Sequence, residues 1–153
     1  MKFAIARPVI ATSAAVLSSF AAPSFAAREF QCRGVVCDVE VTVVDAADPT
    51  CRIVFADDAQ LALRMPKATK TLLRWELSAG SAKGYEFRDD GFLLKSGQPT
   101  DQFDKVGATS NGKRFVLKNK NDDGRSYEYA LRVHAKGAPD RICLIDPFIH
   151  NEN

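Results

Sequence analysis

Histidine is scarce in this sequence. Two occur in 153 residues, His134 and His150, and they flank a single late cysteine, Cys143. A blue-copper centre takes two histidines, a cysteine and usually a methionine in a set order, but Met65 lies far upstream and no methionine follows it. The pattern argues against such a metal site, and His134 reads as an outward, solvated residue. No Gly-x-Ser-x-Gly elbow is present, which removes the hydrolase type of serine nucleophile. Beyond residue 26 no apolar run approaches the ~18 residues that a membrane-spanning helix requires. A surplus of one charge is missing as well. Lys and Arg number 21 against 19 Asp and Glu, and both surplus cations, Lys2 and Arg7, precede residue 27, where no acid occurs. The remainder is therefore balanced, so bulk charge gives no ground for nucleic-acid or anionic-membrane binding. What is present, 46% hydrophobic and 26% charged residues, is the composition of a folded globular domain.

Residues 1–26 carry the pattern of a secretory signal peptide. Lys2 and Arg7 form its positive start, and a mostly apolar stretch runs from Pro8 to Ala22. Ser24-Phe25-Ala26 then presents small side chains at the two positions the peptidase inspects, ahead of Ala27. The stretch is too short and too rich in small residues for a membrane anchor, and no cysteine stands at the cut to take a lipid. The expectation is a soluble exported protein, periplasmic or secreted, with a single domain over residues 27–153.

All four cysteines, Cys32, Cys37, Cys51 and Cys143, fall in that domain. An even count in a small exported domain points to structural disulfides before metal or catalysis. Cys-x4-Cys without a nearby histidine is also poor zinc geometry. Arg33-Gly34-Val35-Val36 gives enough chain, with a glycine to turn, for Cys32 to close on Cys37, leaving Cys51 for Cys143. Cys37 with Cys51 across adjacent strands is the rival. Spacing leaves the connectivity open.

The dominant period is two. Cys37, Val39, Val41 and Val43 alternate with Asp38, Glu40 and Thr42, and after a turn at Asp48-Pro49 so do Cys51, Ile53 and Phe55 with their neighbours. Asp57 to Met65 fits either a strand bearing Leu61, Leu63 and Met65 or a short helix capped by Asp57, closed by Pro66. Leu73, Trp75 and Leu77 make a clear strand. Gly80 to Gly84 reads as a turn. Tyr85 and Phe87 lead through Asp89-Asp90-Gly91 into a return strand, Phe92 to Lys95. Residues 96–112 read as the longest loop, pinned by Phe103. Phe115 and Leu117 carry the next strand, and Asn121-Asp122-Asp123-Gly124 turns it. Tyr127, Tyr129, Leu131 and Val133 form the longest strand, with Glu128, Arg132 and His134 facing out. Ile142 to Ile145 is the last strand, ended by Asp146-Pro147. About eight or nine strands with regular turn signals predict an all-β chain, a single antiparallel β-sandwich of immunoglobulin-like or cupredoxin-like kind or a small barrel.

Patterns that carry chemistry are few. Asn119-Lys120-Asn121-Asp122-Asp123-Gly124 matches the first half of a calcium loop, but the twelfth position, where a bidentate carboxylate must close the shell, is Ala130. A plain hairpin turn is the expectation there. Asp57-Asp58, Asp89-Asp90 and Asp122-Asp123 are adjacent pairs, which point to opposite faces on a strand and face water in turns, so no shared proton is implied. Trp75, Tyr85, Tyr127 and Tyr129 read as core rather than as an aromatic ligand surface. No catalytic constellation emerges, and the 96–112 segment is the expected contact loop.

The succession Trp75-x-Leu77, Tyr85-x-Phe87, Asp90-Gly91-Phe92, Phe115, Tyr127-x-Tyr129 and a terminal Cys143-x-x-Asp146-Pro147-x-Ile149-x-Asn151 resembles a group of small exported bacterial proteins of unknown function, over residues 75–151. That resemblance implies an immunoglobulin-like or cupredoxin-like sandwich and no activity. Ser81-Ala82-Lys83-Gly84-Tyr85, followed by Lys95-Ser96-Gly97, is similar to the Ser-Gly-x-x-Tyr and Lys-Gly elements of periplasmic C-type lysozyme inhibitors, which are small disulfide-linked β-barrels. By that likeness Ser81 and Lys83 would contact a lysozyme cleft. The leading expectation is an exported, non-enzymatic module without cofactor that binds a protein or envelope component through its loops. Hydrolase inhibition is the first alternative and a metal-binding cupredoxin-like protein the second.

Overall fold

The computed structural model describes residues 29–45, 51–55, 61–95, 97–99 and 101–152. The expected leader, the Asp48-Pro49 turn, Asp57-Asp58 and Ser96 lie outside the described residues. Twelve strands and one helical turn follow in the order β1 (Glu29–Gln31), β2 (Val36–Asp45), β3 (Cys51–Phe55), β4 (Ala62–Arg64), β5 (Thr71–Leu77), α1 (Ser81–Gly84), β6 (Tyr85–Glu86), β7 (Phe92–Leu94), β8 (Phe103–Ala108), β9 (Arg114–Asn119), β10 (Ser126–Ala135), β11 (Ala138–Ile145) and β12 (Phe148–His150). The fold is all-β as the period of two requires, and of the two options for residues 61–65 it takes the strand. Its pairing is mixed rather than antiparallel throughout: β1 with β4, β4 with β12, β2 with β5 and β3 with β11 run parallel. Alternation fixes which face a side chain takes, and it carries no information on the direction of the neighbouring strand.

The long strand β10 organises the fold. Along one flank β12 and then β11 pair with it in one register from Ser126 to His134, broken at Asp146-Pro147, and a bulge after His134 shifts the pairing of Ala135 to Ala138. Proline cannot donate to a ladder, but its carbonyl still accepts from Tyr129 N at 3.1 Å, so the partner strand bends there without losing register. The bend sends β11 to β3 and β12 to β4. The expected end of the last strand at Asp146-Pro147 is therefore a corner, with β12 beyond it. On the other flank β7 and β6 each pair with β10, not with each other, so residues 85–95 are not the expected hairpin.

Three further expectations are corrected. Residues 96–112 contain β8, which among the described residues is an edge strand paired only with β9; a bulge between Lys105 and Gly107 breaks its alternation and turns Val106 outward. Asn121 to Gly124 does not close a hairpin, because β9 pairs with β5 and β8 while β10 pairs elsewhere. The Gly80–Gly84 turn winds as the single helical turn α1.

Inward positions meet in one core. Trp75, Phe115, Leu73, Tyr127, Tyr129, Leu131 and Val133 are fully buried there, as their parity predicts. Four ladders separate β5 from β10, yet Trp75 and Tyr129 are in ring contact, so the sheet doubles over on itself. Phe103 at the far edge closes the same core against Tyr127, with ring centroids 4.9 Å apart. The disulfides join Cys32 to Cys37 and Cys51 to Cys143, and the rival Cys37–Cys51 bridge does not form. Cys51 precedes Arg52, which faces Leu144, so the second bridge ties neighbouring parallel strands. Among the described residues no helix is long and apolar enough to cross a membrane.

Candidate functional site

Among the described residues seven large apolar side chains are exposed, and Phe30, Val35 and Val36 gather around the Cys32–Cys37 bridge. The local sequence dictates this. Cys37, Val39 and Val41 face the core, so by parity Val36 faces away from it. Cys32 is also buried, which leaves only Arg33 to Val36 to span the two half-cystines. Gly34 turns the chain at φ +78°, a conformation that side chains disfavour. Cys32 N donates to Arg64 O at 2.9 Å and Leu72 N to Val35 O at 2.8 Å, so the turn is pinned to β4 and β5. A loop this short, tied at both ends, has no slack to fold its valines inward. Val35 is left 66% exposed.

Two open grooves flank the turn. One, about 450 Å³, is lined by Phe30, Gln31, Cys32, Arg33, Val36 and Asp38. The other, about 340 Å³, is lined by Val35, Leu72, Lys70, Lys118 and Lys120, together with Asp104 and Asp122. Val36, Leu72, Lys118 and Asp104 are successive partners across β2, β5, β9 and β8, so the outer face passes from apolar to charged within four strands.

The acids beside the first groove are committed. Arg64 donates from Nε and Nη2 to both Glu29 oxygens, at 2.9 and 2.7 Å, and from Nη1 to Glu152 at 2.6 Å. The Arg64 hydrogen bond holds the Glu29 carboxyl below its ordinary range. Arg74 forks onto Asp38 in the same way. In the second groove, Gln102 Nε2 donates to Asp122 at 2.5 Å. Lys70, Lys118 and Lys120 form no ion pair among the described residues.

The residues singled out from sequence fall elsewhere. Ser81 and Lys83 share α1, remote in sequence from this turn and absent from both grooves beside it. Ser81 is buried, its hydroxyl accepting Val43 N–H at 2.8 Å and the Ser78 hydroxyl at 3.0 Å. Lys83 is exposed and lines a third groove with Glu40, Glu76 and Lys113. Trp75, Tyr85, Tyr127 and Tyr129 are core, so they form no exposed aromatic surface.

The half-calcium loop has another use. Asn119 Nδ2 donates to Asn151 Oδ1 at 2.7 Å, Asn151 Nδ2 to Asp123 Oδ1 at 3.0 Å, and Asn121 Nδ2 to Thr69 O at 3.1 Å. Tyr127 also donates its hydroxyl to Asp123. Burial works against the Asp123 charge, but the Tyr127 and Asn151 hydrogen bonds outweigh it and keep the carboxyl below its usual value. These side chains knit the C-terminal segment to the ends of β9 and β10. Among the described residues no three His, Cys, Asp or Glu side chains gather as metal ligands would.

His134 is a correction. It is buried rather than solvated, its Nε2 lying 2.8 Å from Asp90 Oδ1, while Arg132 Nη1 reaches the other Asp90 oxygen at 3.3 Å. Parity does send it away from Val133, but the segment joining β6 to β7 runs along that flank and brings Asp90 over it.

The tip itself was not legible as a site. Its one signal was a Val-Val pair confined between two close cysteines, more apolar side chain than so short a loop can bury. No model of a known protein family matches the chain, and no curated protein matches it in sequence.

Proposed function

We propose that the chain is an exported, non-enzymatic binding module whose contact surface is the Cys32–Cys37 tip. One observation carries the reading: Val35 is exposed on a turn that a disulfide and two backbone hydrogen bonds hold, and Phe30 and Val36 are exposed on the strands that enter and leave it. Clustered apolar exposure marks interaction surfaces, whereas singly scattered apolar residues need no explanation. Rigidity adds to this, because a preformed loop loses little conformational entropy when it binds. Two disulfides suit an oxidising compartment, which agrees with an export leader at residues 1–26 and a periplasmic or secreted location. We read the doubled-over sheet as the two layers of a sandwich, immunoglobulin-like or cupredoxin-like, since β8 and β10 meet through Phe103 and Tyr127 without a ladder between them.

The test is retention of envelope components on the immobilised, oxidised protein, compared with Val35→Asp and with Leu144→Asp as an exposed apolar control. The reading expects capture to be lost in the first variant and kept in the second. Equal capture by all three rejects the tip. Inhibition of lysozyme in a turbidity assay, lost on Lys83→Ala, would instead move the contact surface to α1 and its groove.

A further inference from the structure

Resting on that reading of the tip, we propose that it docks on an anionic lipid surface, with Val35 entering the interface and Lys70, Lys118 and Lys120 meeting headgroup phosphates. The arrangement of apolar and charged groups favours a bilayer over a protein. A peptide-binding groove presents an apolar hollow to receive a side chain, with charge around its rim. Here Val35 protrudes, and the groove beside it is lined by Leu72 together with three lysines and two aspartates. Lysine is also depleted from the centres of protein interfaces, where its strong hydration is costly to remove. A bilayer reverses that preference, since headgroup phosphates remain hydrated and attract basic groups held near them.

Every charge facing this end must be weighed. Arg33 is exposed on the turn itself and adds a fourth cation. Against it, Asp104 stands opposite Lys118 in the β8–β9 ladder, and Asp122 lines the same groove while held by Gln102. Arg74 neutralises Asp38, whereas Glu29 and Glu152 share Arg64 and leave one negative charge between them. The local balance stays positive. Because the chain after residue 26 is charge-balanced as a whole, a positive tip leaves acids in excess elsewhere, and attraction to an anionic surface orients the molecule tip-first instead of binding it at random. One valine with flanking valine and phenylalanine is a shallow anchor, so binding is reversible and needs the electrostatic contribution.

The measurement is co-sedimentation of the exported, fully oxidised protein with vesicles of phosphatidylcholine alone or of phosphatidylcholine with phosphatidylglycerol. We expect partitioning to be at least about tenfold stronger on the anionic vesicles at low salt and to fall as salt rises. Val35→Asp abolishes it, Lys70→Glu with Lys120→Glu lowers it by about tenfold or more, and Leu144→Asp leaves it unchanged. Intact disulfides and an unchanged near-ultraviolet circular dichroism spectrum establish that each variant is folded. Equal binding to both vesicle types, no binding to either, or binding indifferent to Val35→Asp overturns the inference. If vesicle binding fails while Val35→Asp still abolishes capture of an envelope protein, the lipid partner is wrong and the tip remains the contact surface. Failure of both removes the tip altogether.

Discussion

Trp75 and Tyr129 face each other across the core with ring centroids 5.6 Å apart, although their strands are four ladders from one another in the sheet. Both are fully buried, and among the described residues neither the indole N–H nor the phenolic hydroxyl meets a partner at hydrogen-bonding geometry. Burial pushes the Tyr129 phenol up, and outweighs the nearby indole N–H, which acts in the opposite direction. The hydroxyl is thus a neutral polar group held in an apolar place.

An unpaired buried hydroxyl stabilises nothing, so its removal should be harmless. Tyr129→Phe is expected to leave stability unchanged or to raise it by up to about 1 kcal/mol. Trp75→Ala, which empties a large volume at the same contact, should cost about 3–5 kcal/mol. Urea unfolding followed by far-ultraviolet circular dichroism compares them. A loss above about 1.5 kcal/mol for Tyr129→Phe would show that the two groups do bond.

The two bridges close loops of very different length, with sequence separations of 92 for Cys51–Cys143 and 5 for Cys32–Cys37. Loop-closure entropy grows with the logarithm of length, so losing the long bridge should cost about 4–5 kcal/mol and losing the short one about 2. Replacing each pair by alanine and measuring the shift in denaturation midpoint tests the order. A larger loss from the short bridge would mean that its turn is part of the stability core and not an appended contact surface.

Asp123 makes stability depend on pH in a definite direction. Its folded pKa lies below the unfolded value of about 3.9. Its contribution is therefore fully present above that value and is lost as pH falls through the depressed folded value. Asp90, held down by His134 and Arg132 against the opposing effect of burial, acts in the same window. Asp123→Asn should be less stable than the wild type near neutral pH, with the gap in Tm narrowing below about pH 4. A gap that stays constant from pH 7 to about 2.5 would show that the carboxylate charge is not what the Tyr127 and Asn151 donors stabilise.

Parity made the inward faces of β2, β5, β9 and β10 legible, because Cys37, Val39, Trp75, Leu117, Tyr129 and their neighbours must hide on one side of a pleated strand. It could not show partners. Nothing in Val36–Val41 says that β5 lies beside it in parallel, and nothing in Phe92–Leu94 says that it pairs with β10 and not with β6. The edge strand β8 escaped for a physical reason: an edge on the surface buries little, and the Lys105–Gly107 bulge erases what period remains. Asn119, Asn121 and Asn151 belong to a network spread along the chain, and turn chemistry at one of them cannot reveal the other ends. The tip escaped because exposure was decided by the closure of a short disulfide loop and not by any periodic pattern.

Gly91 offers a last measure of how tightly the turn between β6 and β7 is seated. A Cβ there would stand 2.7 Å from Phe115 Cδ2 and 3.0 Å from Arg88 O. Phe115 is fully buried and bounded by Trp75 and Phe87, so its ring has little room to give. The backbone is equally fixed, since Gly91 O accepts Arg132 N at 2.8 Å. Gly91→Ala is expected to cost about 1–3 kcal/mol through overpacking. At Gly80 nothing lies within 4 Å of the added carbon, and Gly80→Ala should change stability by no more than about 0.5 kcal/mol. Thermal denaturation of the two variants side by side checks the contrast. Equal midpoints would mean that the turn carrying Asp90 can shift outward, and with it the contact between Asp90 and His134.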